Sequence, residues 1–309
     1  MISKWLGMWT LALLGAICTS ACGNYSNEDL DFQLALPEQS DIEVKMQSVP
    51  RADSAEYYLA TRTAIKSFNG MVVDLTGLIE GVRGITPTSR NGNQRTWGPF
   101  ADDKHLGWEI RVVMQRSSVS PSLLHMDYWV QVRPVGQGDS PWVSFLAGKY
   151  DSQGSARTGT GEIHLLVNDV RVAGYPVNDD PGLVNLDHLD VTYDNADYPI
   201  TVTMTIVNLP TAPTQSGTYT YAQNQDGSGK MTFDWQGTTD TGVQITANMT
   251  SQWLGSGAGR ADLTAHLTST PTSQSTTLGT DCWGDDTVAT YTLRLQGNTT
   301  TGDPNSCRF

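Results

Sequence analysis

The sequence predicts a mainly β protein: a single curved antiparallel sheet, or open half-barrel, of about eleven strands packed on an N-terminal helical segment. Three observations carry that expectation. From Trp97 onward, apolar residues recur at every second position, the period of a half-buried strand. Between Asp53 and Val82 they recur at three- and four-residue steps, the period of a helix with one apolar face. The links between the alternating runs are rich in Gly, Pro, Asn and Asp and carry no helical pattern, which suits hairpin neighbours rather than βαβ units.

Taken in chain order, residues 1–21 read as a secretory signal peptide. Lys4 precedes an apolar run from Trp5 to Ile17, about 13 residues where roughly 20 are needed to span a bilayer. The small residues Thr19-Ser20-Ala21 lead into Cys22 in the manner of a bacterial lipobox, although Thr19 stands where Leu is usual. Cys22 is therefore the expected lipidation point, and the expected location is the bacterial outer membrane, reached through N-terminal acyl chains. Residues 22–50 read as a lipidated tether with a short helical stretch from Glu28 to Leu36, stopped by Pro37. Residues 51–309 read as one helix-plus-sheet domain.

The long helix is expected to start at Asp53-Ser54, good N-cap residues, with Glu56 in its first turn. Ala55, Tyr58, Leu59, Ile65, Phe68, Val72, Leu75, Ile79 and Val82 form its stripe, and Asn69-Gly70 suggests a kink or break midway. Alternating runs then follow at 108–114, 128–133, 142–150, 161–167, 186–193, 200–208, 218–223, 231–236, 243–253, 261–267 and 288–295. Three links share a pattern: Thr158-Gly159-Thr160-Gly161, Asp226-Gly227-Ser228-Gly229 and Ser256-Gly257-Ala258-Gly259. They read as tight hairpins rather than phosphate loops, because no helix follows the glycines. No long-period repeat is evident beyond that similarity.

Four cysteines fit an exported chain. Cys18 leaves with the leader and Cys22 is lipidated, so Cys282 and Cys307 are expected to form one disulfide. Removing residues 1–21 from 309 leaves 288, with 32 acidic against 19 basic residues over the whole chain and a net charge of −13. That field repels phosphate backbones and anionic lipid surfaces, so nucleic acid is excluded as a partner and membrane attachment falls to the acyl chains.

No cofactor or metal is expected. The five histidines His105, His125, His164, His188 and His266 show no zinc-protease spacing. Neither G-x-S-x-G nor S-x-x-K is present. Asp179, Asp180, Asp187, Asp190, Asp194 and Asp197 crowd one stretch, and Asp281, Asp285 and Asp286 flank Trp283. Paired carboxylates beside tryptophan are what a glycosidase needs, yet Asp is also the ordinary turn residue. Asp194-Asn195-Ala196-Asp197 does not fit a calcium loop. A transmembrane barrel is disfavoured because Thr201, Thr203 and Thr205 would face lipid and no alternation leads into Phe309.

Several pieces together resemble an outer-membrane lipoprotein family of myxobacterial type with no established activity. They are Cys22-Gly23 with Tyr25-Ser26-Asn27-Glu28-Asp29-Leu30, Arg95-Thr96-Trp97-Gly98-Pro99, Trp253 with Gly257, Gly259, Arg260 and Asp262, and Cys282-Trp283 with Ser306-Cys307. The resemblance implies a lipid-anchored, sheet-rich exported protein and transfers only Cys22, as the attachment point. The order of elements also looks like the half-barrel carriers of lipoproteins, which hold acyl chains between sheet and helix. The expected role is non-enzymatic binding or structural work in the envelope, with a lipid or other apolar ligand between sheet and helix. The alternative from another class is a carbohydrate-active hydrolase using paired Asp residues.

Overall fold

The computed structural model describes residues 26–46, 50–120, 123–138, 141–155, 157–212, 214–238, 243–269, 272–295 and 297–307. Cys22, the leader and Phe309 lie outside the described residues. The protein is mainly β, with fifteen antiparallel strands following one another in chain order in one open sheet. Among the described residues four α-helices accompany them: α1 (Asn27–Leu34), α2 (Gln39–Ile42), α3 (Glu56–Glu80) and α4 (Val167–Val172). The described residues gather into two compact units, one drawn from 26–42 and 70–196 and the other from 43–69 and 197–307.

The first unit holds β1 (Ser89–Asn91), β2 (Gln94–Ala101), β3 (Trp108–Ser120), β4 (Leu123–Pro134), β5 (Val143–Ser155), β6 (Thr158–Leu165) and β7 (Leu186–Asp194). One face buries Val112, Met114, Met126, Tyr128, Val130, Leu146, Tyr150, Ile163 and Val191. The stretch read as a tether is packed against this unit from Ser26 onward. Ser26 and Asp29 form a capping box at the start of α1, and Phe32, Leu36 and Ile42 are buried. The carboxylate of buried Asp29 accepts from Arg95 Nε at 2.6 Å and from Arg90 Nη2 at 2.8 Å. Arg83 donates to Glu38 and to the Leu36 carbonyl, and Arg157 to Asp41. A loose tether has no reason to bury an acid with two guanidinium partners.

The second unit holds β8 (Ile200–Asn208), β9 (Thr214–Gln223), β10 (Gly229–Thr238), β11 (Gln244–Trp253), β12 (Gly259–Ser269), β13 (Thr272–Trp283), β14 (Ala289–Arg294) and β15 (Thr299–Gly302). Eleven of the fifteen strands coincide with the alternating runs; β1, β2, β13 and β15 do not. β13 reads TSQSTTLGTDCW and is too polar to show alternation. α4 was also hidden, being only six residues long.

A repeat does run through the second unit. Asn224 N–H donates to the Ser228 carbonyl, Leu254 N–H to Ala258 and Gly284 N–H to Val288, so one turn geometry recurs at a 30-residue step. Gly227 and Gly257 take positive φ at the tight position, and Thr287 stands there in the third turn with φ 69°. The residue that opens the next strand lies beside an aromatic of the strand after it. A Cβ on Gly229 would sit 2.6 Å from Trp253, and one on Gly259 2.4 Å from Trp283. The glycine pattern is therefore one of positive φ followed by room for an indole. Sequence comparison missed the period because the third copy replaces both glycines, with Thr287 and Ala289.

Helix α3 is unbroken at Asn69-Gly70. Asn69 is used sideways instead, since Val44 N–H donates to its Oδ1 at 2.8 Å and its Nδ2 donates to the Val44 carbonyl at 2.9 Å. In the second unit the helix is tied to one row of the sheet, Tyr221–Met231–Ser251–Ala261–Asp281, read across the ladders. Thr61 Oγ1 meets Ser251 Oγ at 2.6 Å, and Tyr57 N–H donates to Asp281 Oδ2 at 2.9 Å. Tyr58 packs edge-on against Trp283 and Phe68 against Tyr219. Ala55, Tyr57, Tyr58, Ala261 and Trp283 make one buried cluster.

Candidate functional site

A concave feature in the second unit lies on the flank of α3. An extended strap, residues 43–46, runs beside the helix and enters the chain's next described residue at Pro50. Asn69 latches it at Val44, Arg62 Nη1 donates to the Met46 carbonyl at 3.1 Å, and Lys45 N–H donates to Tyr221 Oη at 3.2 Å. Asparagine can replace a neighbouring strand here because its amide offers one donor and one acceptor in a plane. Between strap and helix runs an open groove of about 800 Å³, inside the ~300–1,000 Å³ range of ligand clefts.

Val44, Met46, Pro50, Leu59 and Ile65 supply its apolar wall, and Thr63 and Asn69 its uncharged polar positions. Leu59, Arg62, Lys66 and Asn69 sit three or four residues apart, which sets them on one side of the helix. Leu59 stays 39% exposed although it belongs to the apolar stripe, because the groove runs past it. The charged lining residues are Lys45, Arg62 and Lys66 against Glu43 alone. Lys45 and Glu43 pair at 3.3 Å. The groove thus has a cationic rim on a protein that is strongly anionic as a whole.

The place expected for a ligand, between α3 and the sheet, is filled in this unit by the Tyr58–Trp283 and Phe68–Tyr219 contacts. The groove lies on the helix's other flank. Leu59 was legible in the sequence; Val44, Met46, Arg62 and Lys66 were not, because their proximity depends on the strap folding back. Three of the tryptophans are engaged elsewhere. Trp97 Nε1 donates to the Ile85 carbonyl and Trp283 Nε1 to Gly257, and the Arg111 and Arg133 guanidinium groups lie 4.3 and 4.4 Å from the Trp142 ring.

The sequence-flagged residues take these positions. Cys282 and Cys307 form a disulfide with Cα atoms 5.4 Å apart. Asp281 is buried, receives two bonds from Arg294 at 2.7 and 2.9 Å and caps the start of α3. Asp286 accepts from Val288 N–H, Asp194 from Ala196 N–H, and Asp180 from Gly182 N–H and Lys104 Nζ. These are the turn-capping roles that favour aspartate in loops. Asp190 instead stands between two imidazoles, 2.7 Å from His164 Nδ1 and 3.6 Å from His188 Nε2. Across β4 and β5, His125 bonds Asp151, whose carboxylate raises the imidazole's affinity for protons. Among the described residues no three His, Cys, Asp or Glu side chains are arranged to hold a metal ion.

One buried polar group escaped the sequence reading. Tyr175 Oη donates to Asp102 Oδ2 at 2.6 Å, and His105 Nδ1 lies 3.0 Å from the same oxygen and 2.8 Å from the phenol. Burial and the bond to Asp102 keep the Tyr175 phenol protonated far above its usual range. The far nitrogen, His105 Nε2, has no hydrogen-bond partner among the described residues. Tyr175 lies 70 residues from His105, so no spacing rule could join them.

Among the described residues no helix is long and apolar enough to cross a membrane. No known protein family, curated protein or solved structure matches this chain.

Proposed function

We propose that this is a non-enzymatic envelope protein, anchored to the bacterial outer membrane by acyl chains on Cys22, that binds an apolar or lipid ligand in the groove beside α3. The groove carries the reading: an apolar wall of Val44, Met46, Leu59 and Ile65, latched open by Asn69 and Arg62. The signal-like leader, the small residues before Cys22 and the resemblance to outer-membrane lipoproteins support the location.

Native mass spectrometry of the full-length protein purified from its membrane tests the binding. A lipid-mass adduct is expected, with loss of most of it in Leu59→Asp at unchanged circular dichroism. Absence of any adduct, together with no uptake of added lipid, would overturn the reading. Anchoring is tested separately by feeding cells a fatty-acid analogue. Label should appear on the wild type and be absent from Cys22→Ser; equal label on both refutes the anchor.

A further inference from the structure

We infer that the outer edge of α1, Leu30 with Leu34, lies in the surface of the membrane that holds Cys22, so that the first unit rests on lipid instead of swinging from a tether. The inference rests on the anchor proposed above and is independent of the groove. Residues 22–50 read as a tether, yet the chain is folded from Ser26 onward: Ser26 and Asp29 make the capping box of α1, and Phe32, Leu36 and Ile42 are buried. Only four residue steps separate Cys22 from Ser26, and four steps span at most about 14 Å however they are arranged. Acyl chains on Cys22 set that residue at the level of the lipid headgroups. The start of α1 is therefore held close to the same surface.

The side that α1 turns outward fits that position. Leu30 and Leu34 are one turn apart and share a helix face, and they stay 46% and 43% exposed. The other side of the helix carries buried Asp29, Phe32 and Gln33. It is pinned by the bonds from Arg90 and Arg95 to Asp29, so the leucines cannot roll inward without breaking a buried ion pair. Single exposed leucines are ordinary; a pair on one face, within short covalent reach of an acyl anchor, has its cover at hand. Because the anchor keeps the helix beside the bilayer, even a weak contact is populated. Asp31 is exposed on the flank of the pair, about 60° round the helix from Leu34, where its carboxylate stays among headgroups and water. A chain of net charge −13 is repelled by an anionic surface, so the lipid that α1 meets is one without net charge.

The test puts a nitroxide on Leu34→Cys in the acylated full chain, bound to phosphatidylcholine vesicles. Its relaxation is measured with oxygen, which concentrates in lipid, and with a nickel chelate confined to water. The same label on the Cys22→Ser protein, left in solution, is the comparison. The oxygen-to-chelate ratio should rise severalfold on the anchored protein. Adding Leu30→Glu should return it toward the solution value at unchanged circular dichroism, because a carboxylate on that face opposes burial in the interface. A ratio equal in the anchored and soluble proteins, or one indifferent to Leu30→Glu, would overturn the inference while the anchor, checked by acyl mass and flotation with the vesicles, stands. Wild-type protein without acyl mass would overturn the anchor and this contact together. Shielding of the label from both reagents would mean that protein covers the face, a second copy if spin–spin broadening accompanies it, and would overturn docking on lipid.

Discussion

Single residues show how differently two aspartates behave once buried. Asp29 sits against Arg90 and Arg95, and the Arg90 bond, opposed by burial, holds its carboxyl far below the usual carboxylate range. Its contribution is present at neutral pH and is lost only as acid protonates it, well below pH 4. Asp74, on α3, has no cation among the described residues that offsets its desolvation. Burial first, and the nearby charge of Asp180 second, push its carboxyl up to about 6. The native state then holds a proton that the unfolded chain releases near pH 4, so stability falls as pH rises from about 4 to 6 and stays lower above that. Asp74→Asn removes the charge. After discounting for partial exposure, it is expected to gain about 1 kcal/mol at pH 7 and nothing at pH 4. Urea midpoints at the two pH values check it, and an equal gain at both would show that charge is not the cause. Neither behaviour was legible beforehand, because Arg90 and Asp180 lie 61 and 106 positions away along the chain from the acids they act on. Asp281 makes the same point. Beside Trp283 it reads as a candidate acid, yet in the fold it pairs with Arg294 and caps α3.

Elements were far more legible than residues, for a physical reason. A strand with one buried face writes its period into the sequence, and all eleven alternating runs are strands. Where both faces are polar, as in β15 with four exposed residues, no period exists to be read. Asn69-Gly70 misled for a related reason: poor helix formers suggest a break, but the tertiary bond to Val44 offsets the propensity cost, which is only about 1 kcal/mol for glycine. The repeat hairpins carry the prediction at this scale. Gly259 lies under Trp283, which fills the cluster beneath the start of α3. Gly259→Val would force the indole away and is expected to cost about 3 kcal/mol by overpacking. Gly255→Ala would place its Cβ 2.2 Å from the Asp226 carbonyl oxygen without touching that indole. Both should destabilise, but only Gly259→Val should red-shift tryptophan emission. A red shift of equal size in both would show that the cross-strand Gly–Trp pair is not what seats Trp283.

Over the whole molecule, the last strands have little packing to hold them. In a meander each strand leans on its two sequence neighbours, and β15 has only β14, through four residue pairs. Its residues are exposed, so burial contributes little there. The disulfide supplies what packing does not. Cys282 is fully buried in β13, and Cys307 returns to it after the chain has made β14 and β15, closing a loop of 25 residues. On the chain-entropy model such a closure is worth about 3.5 kcal/mol, by restricting the unfolded chain. This feature was open to sequence reading because Cys282 and Cys307 stand together near the C-terminus, 25 positions apart and far from the other two cysteines. The Cys282→Ser/Cys307→Ser double variant is therefore expected to lose about 3 kcal/mol in urea unfolding under non-reducing conditions. Hydrogen exchange should rise first in β14 and β15, while β9–β12 keep their protection until global unfolding. If the variant unfolds at the wild-type midpoint, or if protection falls evenly across the strands, the terminal strands are held by the sheet itself and the cross-link is redundant.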